Sequence, residues 1–386
     1  MARAAPRKSA LFRAMRESEV MTTDQNFQVS RAVLALDPGG SKCEALLVRD
    51  DGTALSAGRV QRTGISGRSP RIMREAARKA LGKWRVDELH LVTIAALMLN
   101  KNLELSLNRP FISHAISEID GLMALADERF GIAVVAGTGA RVSGINREGQ
   151  YRSLDGLGPQ LGDVGGGYQV GLRALRAAVL AERHPRHATS MQNRIFAHCL
   201  ADFEKAKGKG DGCSPMKPDL CLHLRKTAAR FLIFDLELKC AGSRLQRLVD
   251  FSLMPQDRSV IASLARIADE EAERGDAVAL RILEDAAEGL AETVWDLVDL
   301  LGMHDDDYPL IAGGSLALRS RAYWRAFRAR LAERTPRLTP FRAPWPPVVG
   351  NALVALLQIQ PGEGEAVRTR LYESVRAFHD ATSPIP

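Results

Sequence analysis

With 386 residues, the chain is too long for one small core, so two domains or lobes are expected. Its 46% hydrophobic and 26% charged residues are ordinary for a soluble globular protein, and no apolar run reaches the roughly 18 residues that span a bilayer. The net charge of +7 is modest and only 5% of the residues are aromatic, so neither nucleic acid nor a membrane is an expected partner. Five cysteines without C-x-x-C spacing favour a reducing compartment, taken as the cytoplasm, and argue against a zinc or iron–sulfur site within one chain.

The first 30 residues are predicted to form a disordered basic tail. They do not show the apolar core of a secretory signal peptide, so no such signal is expected. Met21 is an alternative start to Met1.

Residues 31–60 have the pattern of three strands joined by two turns, with apolar runs at 32–36, 43–48 and 54–60. The first turn is Asp37-Pro38-Gly39-Gly40-Ser41-Lys42. Its two glycines let the backbone approach a ligand closely, while Ser41 and Lys42 add a hydroxyl and a charge. Asp37, at the strand end, can hold a hydrated Mg²⁺ through one carboxylate. Alone, the stretch favours an ordinary glycine-rich hairpin.

Residues 61–131 are predicted to alternate helices with strands. Ser69 and Pro70 have the residue types of an N-cap and of the first helical position, and the helix extends to about residue 83. Two strands and a second helix are predicted after it, at 89–99, 112–119 and 121–128. The second of these strands ends at Asp120.

The plan of the first three strands returns at residues 131–153. A buried strand at 131–136 ends in Gly137-Thr138-Gly139, and strands at 141–145 and 150–153 flank a turn. Two such turns in matching contexts indicate two similar halves that face one nucleotide.

The remainder is predicted to be mainly helical, with a glycine- and lysine-rich surface loop at 207–219. Residues 258–302 have apolar positions at helical spacing, with a break near Gly275-Asp276. Further helices are predicted at 169–181, at 322–333 and from 350, and a strand at 310–312 precedes Gly313-Gly314-Ser315.

Four stretches in this order, LDPGGSK, VVAGTGA, LGDVGGGYQVGLRAL and LIAGGSLA, resemble the N-acetylglucosamine kinase branch of the BadF/BadG/BcrA/BcrD ATPase family, within the actin/hexokinase/Hsp70 superfamily. The resemblance implies an α/β fold of two ribonuclease H-like lobes with an ATP cleft between them. The implied lobes are residues 31–131 and 132–363, followed by a C-terminal helix and tail at 364–386.

The resemblance also implies a nucleotide site for ATP and Mg²⁺. The first stretch resembles a phosphate-1 loop, the second a phosphate-2 loop and the fourth an adenosine motif. Paired glycine turns with Mg²⁺ suit phosphoryl transfer, which depends on positioning and charge neutralisation. The residues implied to bind the nucleotide are Asp37 (also at the metal), Gly39, Gly40, Ser41, Lys42, Gly137, Thr138, Gly139, Gly313 and Gly314.

In the same resemblance, Asp120 is the catalytic base that deprotonates a sugar hydroxyl. Its sequence context equally fits a helix N-cap, and Glu118 is the reserve candidate. The sugar is implied to contact Asp120, Asp163 and the turn Gly156-Leu157-Gly158. The alternative for Asp163 is a loop carboxylate that only makes turn hydrogen bonds.

The chain departs from the family pattern in both halves of the site. Pro38 replaces a phosphate-1 glycine and has no N–H, while in the sugar half Leu157 replaces an aromatic residue and Val164 replaces a glutamate. No asparagine lies near Gly64, where the family often presents one to the sugar.

The leading hypothesis is ATP-dependent phosphorylation of an amino sugar or related hexose, similar to N-acetylglucosamine or glucosamine kinases. The expected partner is a small sugar, and a homodimer is left open. One alternative is an ATPase activator of acyl-CoA reductases or dehydratases, although its iron–sulfur cysteines have no counterpart beside Gly137-Thr138-Gly139. The other is a non-catalytic sugar sensor.

Overall fold

The computed structural model describes residues 27–40, 42–61, 68–94, 109–208, 258–305 and 307–380, together with Leu107, Leu248 and Phe251. Residues 1–26 of the predicted tail, the proposed phosphate contact Ser41 and most of the predicted 207–219 loop lie outside these residues. Residues 28–30, predicted to be the end of that tail, are instead the start of a strand that begins at Gln28.

The first sheet has five strands in the order β3-β2-β1-β4-β5. Its strands are β1 Gln28–Pro38, β2 Lys42–Arg49, β3 Ala54–Gln61, β4 Arg85–Thr93 and β5 Ile112–Ala115. The first three are antiparallel, as their short turns require, whereas β4 and β5 run parallel to β1 after longer crossovers. Helix α1, Pro70–Leu81, follows β3 and begins after Ser69, as predicted, and helix α2, Glu118–Ala126, follows β5.

The second sheet repeats this topology. Its strands are β6 Gly131–Ala136, β7 Ala140–Ile145, β8 Tyr151–Asp155, β9 Pro309–Gly313 and β10 Thr339–Arg342, in the order β10-β9-β6-β7-β8. When the strands of each sheet are numbered in chain order, both sheets have the order 3-2-1-4-5. In both, the first three strands are antiparallel, and the fourth and fifth run parallel to the first. The repeated plan predicted from the two glycine turns is therefore confirmed.

Eight further α-helices lie in the described ranges, and a short 3₁₀ helix, Pro185–His187, separates the first two of them. They are α3 Gly167–Arg183, α4 Met191–Gly208, α5 Arg258–Glu273, α6 Ala277–Leu301, α7 Ser315–Arg319, α8 Arg321–Arg334, α9 Pro347–Ile359 and α10 Gly364–Asp380. The predicted break in the 258–302 region is confirmed, because Gly275 has a φ of 95° and the Asp276 side chain caps α6 by accepting from Ala279 N. No helix in the described ranges is both long and apolar enough to cross a membrane.

Helix α9 connects the two sheets. It packs against α2 and against β1, β2 and β4 of the first sheet. The buried cluster around it joins Val33 of β1 to Ala133 of β6 and Ile311 of β9, so the two sheets share a continuous core. The lobe boundaries at residues 131 and 363 stay a prediction.

The region before Asp120 differs from the predicted strand at 112–119. Strand β5 ends at Ala115, and α2 begins at Glu118 because Ser117 and Asp120 form a capping box. The apolar residues Ile116 and Ile119 continue the run of the strand in sequence, but in the structure they are buried beside and within the helix.

Candidate active site

Three glycine turns from the two sheets lie close together. A Cβ built on Gly40, in the β1–β2 turn, would lie 3.5 Å from Cβ of Thr138 in the β6–β7 turn. A Cβ on Gly137 would lie 4.0 Å from Cα of Gly314, which follows β9. The structure thus brings together the turns predicted to be phosphate-1, phosphate-2 and adenosine motifs.

The backbone conformation and the packing do not require glycine at residues 40 and 137. Gly40 and Gly137 do not have a left-handed φ, and a side chain at either would meet only ordinary contacts at 3.5 Å or more. Gly314 is different, because its φ is 85° and a Cβ would lie 2.3 Å from the Ala136 oxygen. Glycine at residues 40 and 137 is therefore explained by neither strain nor packing, which agrees with a bare backbone beside a bound phosphate group.

The β6–β7 turn is held by the start of α3. Gly167 N donates to Gly137 O at 2.8 Å, and Tyr168 N donates to Thr138 O at 2.8 Å. These bonds occupy carbonyl oxygens that would otherwise repel a phosphate beside them. Gly137 N is bonded to Gly139 O at 2.9 Å within the turn.

The β1–β2 turn rests on a buried ion-pair group. Glu44 is 1% exposed, and its carboxylate pairs with the ammonium of Lys42 and lies 3.8 Å from Nη1 of Arg59. Asp37 lies directly opposite Glu44 in the antiparallel register, so both carboxylates are on one face of the sheet. Lys42, predicted to contact phosphate, therefore has a carboxylate partner within its own strand.

The pKa of the Cys43 thiol is raised, first by its burial and then by the charges of Asp37 and Glu44. This cysteine and Cys199 are both buried as free thiols, in two different core clusters. Cys213, Cys221 and Cys240 lie outside the described residues.

Asp37 can serve a hydrated Mg²⁺. Among the described residues, no group of three or more His, Cys, Asp or Glu side chains forms a metal site. Mg²⁺ usually keeps several waters and binds through one or two carboxylates plus substrate phosphates, so a single Asp37 beside the predicted phosphate turns fits this ion.

Asp120 is the third residue of α2 rather than its N-cap, so the predicted N-cap position is corrected, but its carboxylate still caps the helix through the capping box with Ser117. Its Oδ2 accepts from Ser117 N at 2.7 Å and its Oδ1 accepts from Ser117 Oγ at 2.8 Å. Each carboxylate oxygen has a second lone pair, so the partly buried carboxylate can still accept a proton from a substrate. Glu118, the reserve candidate, is the first residue of the helix and not a strand neighbour of Asp120.

The segment 155–166 connects β8 to α3 and lies against the β6–β7 turn. Asp155 organises it, because its carboxylate accepts backbone N–H bonds from Gly156 at 2.8 Å, from Val164 at 2.7 Å and from Asp163. Asp163 has a φ of 57° and is 7% exposed, and a Cβ on Gly139 would lie 2.6 Å from its Cγ. The predicted sugar contact Asp163 is thus adjacent to the predicted phosphate-2 turn.

Burial is the main cause that raises the pKa of the Asp163 carboxyl, and the nearby charge of Asp155 adds to it. Backbone N–H groups of Ala140 and Gly158 and the guanidinium of Arg258 oppose the rise. Arg258 Nη1 lies 3.9 Å from Asp163 Oδ2, and its side chain is 57% exposed.

The predicted sugar turn Gly156-Leu157-Gly158 is on the surface beside Asp163. Gly156 and Gly158 have φ values of 71° and 90°, which glycine adopts without strain. Three apolar side chains of the 155–166 segment are exposed, Leu157 by 68%, Leu161 by 81% and Val164 by 41%. The two departures from the family pattern, Leu157 and Val164, are therefore both exposed apolar side chains of the 155–166 segment.

Four residues near the site were missed from the sequence: Glu44, Asp155, Arg258 and Asn351. A carboxylate inside the apolar run at 43–48 and an asparagine inside an apolar helix were the available signals for Glu44 and Asn351. Asn351 is 3% exposed, and its Nδ2 donates to Leu36 O at 3.0 Å.

Two α/β sheets of matching topology over a shared core, with glycine turns of both sheets close together, define a two-lobed α/β fold. A crystal structure of a candidate N-acetylglucosamine kinase from Chromobacterium violaceum is similar, with a TM-score of 0.54 and 20% identity over 85% of this chain and 99% of that chain. The likeness shows the fold, and the two-lobed α/β architecture predicted from the sequence is confirmed.

The chain belongs to the BadF/BadG/BcrA/BcrD ATPase family, whose profile matches residues 34–355. It is 25% identical over 244 residues to an N-acetyl-D-glucosamine kinase of Dictyostelium discoideum, covering 61% of this chain and 64% of that protein. It is 26% identical over 222 residues to an N-acetylmuramic acid/N-acetylglucosamine kinase of Clostridium acetobutylicum, covering 57% of this chain and 60% of that protein. The matched segments thus span less than two thirds of each of these relatives.

Proposed function

We propose that the protein catalyses ATP-dependent phosphorylation of a hydroxyl group on an amino sugar or related hexose. The observation that carries the proposal is that the turns of Gly40, Gly137 and Gly314 meet, although neither backbone strain nor packing requires glycine at residues 40 and 137. ATP use is in keeping with the ATPase family, and the two curated relatives named above are sugar kinases.

When bound, Mg-ATP supplies the phosphoryl group and the cation that neutralises its charge. In this proposal the turns around Gly40 and Gly137 hold the phosphates, Asp37 holds the cation, and Gly314 borders the adenosine. The turns stay in place because β1, β6 and β9 are central strands of their sheets and are fixed by pairing on both sides.

On the acceptor side, Asp163 accepts a hydrogen bond from a sugar hydroxyl and Gly156 and Gly158 border the ring. Asp120 takes the proton of the reacting hydroxyl at one carboxylate oxygen, and that hydroxyl oxygen becomes the oxygen of the phosphate ester. The Ser117 bonds orient the carboxylate while leaving it a free lone pair on each oxygen.

The class of sugar is inferred from the names of the relatives and from two exposed side chains of the 155–166 segment. An exposed Leu157 and Val164, in place of an aromatic residue and a glutamate, are expected to weaken discrimination for the N-acetyl group. The expected substrates are therefore amino sugars. Hexoses without an N-acetyl group should be phosphorylated more readily than by family members that have the aromatic residue and the glutamate.

The test measures ADP release by aerobically purified protein with Mg-ATP and a panel of N-acetylglucosamine, glucosamine, glucose and N-acetylmuramic acid. Sugar-dependent, Mg²⁺-dependent ADP release with a phosphorylated sugar as co-product is the expected result. Sugar binding without turnover would point to a sensor, and neither binding nor turnover with any sugar would refute the proposed function.

A further inference from the structure

A buried asparagine links the two ends of the proposed reaction site. Asn351 lies in α9, between residues that are otherwise apolar, and its Nδ2 donates to the backbone oxygen of Leu36 at 3.0 Å. Leu36 immediately precedes Asp37. The other end of the amide faces α2, because a Cβ built on Gly121 would lie 2.1 Å from Asn351 Oδ1. Gly121 immediately follows Asp120.

Helices α9 and α2 cross in close contact at this point. A Cβ on Gly350 would lie only 1.9 Å from the backbone oxygen of Gly121, so α9 and α2 are in direct backbone contact. The Asn351 amide fills the place that a side chain at residue 121 would take. Its position is therefore fixed both by its hydrogen bond to β1 and by the backbone of α2.

An amide in an apolar helix is costly to bury unless its hydrogen bonds are made. An alanine or leucine at this place would cover the same neighbours without that cost. An asparagine at residue 351 is explained if its hydrogen bond to β1 has a role besides packing.

We propose that Asn351 is a positioning residue that fixes the strand end carrying Asp37 relative to the helix start carrying Asp120. The proposal rests on the proposed kinase function, in which these two carboxylates hold the cation and accept the proton. Asn351 touches neither substrate; it acts through Leu36 and Gly121.

Its loss should lower the rate of transfer more than binding. A misplacement of about 1 Å can cost about 10²-fold in rate, since the reacting oxygen and the phosphorus must be aligned. Asn351→Asp keeps the size of the side chain but replaces the N–H donor to Leu36 with an oxygen. We expect kcat to fall about 10²-fold while KM for ATP stays within about threefold.

Asn146 supplies a matched control. It is also buried, at 4% exposure, and its Nδ2 donates to a backbone oxygen, that of Leu301, at 3.0 Å. It lies in the β7–β8 turn, and Leu301 ends α6, so it connects no proposed site residues. Asn146→Asp should lower the melting temperature as Asn351→Asp does, yet keep kcat.

A double substitution tests the contact itself. Gly121→Ala should lower the melting temperature strongly in the wild type, but less in an Asn351→Ala background, where the next nearest atom of residue 351 is its backbone N at 3.2 Å. The kcat of the double variant should stay low, because room for the new methyl does not restore the bond to Leu36.

Wild-type kcat in a folded Asn351→Asp protein, equal kcat losses in Asn351→Asp and Asn146→Asp, or additive melting-temperature losses in the Gly121 pair would each overturn the proposal. If the wild type itself shows no sugar-dependent ADP release, the proposed function fails instead, and the melting-temperature coupling still reports whether the contact exists.

Discussion

Gly137→Ala separates a ligand reason for this glycine from a structural one. The nearest heavy atom to the new methyl would be Gly314 Cα at 4.0 Å, and φ is not left-handed, so the fold accommodates it. Replacing a glycine at a compatible position changes stability by about 0.4–1 kcal/mol in the favourable direction. The melting temperature should therefore be unchanged or slightly raised.

The added methyl group should weaken the binding of Mg-ATP. If phosphate oxygens lie over residue 137, a methyl there displaces at least one charge-assisted hydrogen bond, worth about 1.5–3 kcal/mol. That loss corresponds to a dissociation constant for Mg-ATP about 10- to 150-fold weaker.

Isothermal titration of Mg-ATP, with melting temperatures recorded alongside, measures both quantities. Gly362→Ala is the control, since Gly362 has open space around its Cβ position, no left-handed φ, and a place in the loop between α9 and α10. An affinity within about twofold of wild type for Gly137→Ala would remove the phosphate-2 assignment. An equal loss in Gly362→Ala would show that the effect is not local.

The remaining predictions concern the acceptor side. Gly139→Ala places its Cβ 2.6 Å from the Asp163 carboxyl carbon, so it should lower the melting temperature and reduce kcat/KM for the sugar more than ATP affinity; a loss confined to ATP would contradict this. Asp120→Asn should lower kcat by about 10²–10⁴-fold, whereas a residue that only caps the helix with Ser117 would keep wild-type kcat and lose only stability. Because burial raises the folded-state pKa of Asp163 above its ordinary 3.8, the stability of wild type relative to Asp163→Asn should be highest below that value and fall as pH rises through the raised pKa. Melting temperatures of both proteins from about pH 3.5 to 8 check the slope, and a difference that grows with pH would refute the stated direction.

Much of the architecture was determined by the local pattern of the sequence. Short apolar runs ending in glycine turns located β1, β6 and β9, because such runs form strands and glycine allows a tight turn to face a ligand. The repeat of that pattern from residue 31 to residue 131 predicted two sheets of the same topology. The order of the four glycine-bearing stretches was enough to indicate the family.

Local pattern was less informative where a boundary depends on one hydrogen bond. The strand predicted at 112–119 ends at Ala115, because the Ser117–Asp120 bonds favour a helix start inside an apolar run that is compatible with either structure. The sequence contained the spacing of a capping box, but apolar periodicity over so short a run does not distinguish the end of a strand from the start of a helix.

Only the tertiary structure decided which residues support the site. Leu36 and Asn351 are 315 residues apart. Their hydrogen bond exists because α9, which follows all strands of the second sheet in sequence, packs against the first sheet. Asp155 and Glu44 likewise acquire their partners from the folded loop and sheet register, not from any motif. Sequence by itself determined the strands and turns, since these depend on neighbours along the chain; the approach of Gly40 to Thr138 and of Asn351 to Leu36 and Gly121 depends on packing between distant segments.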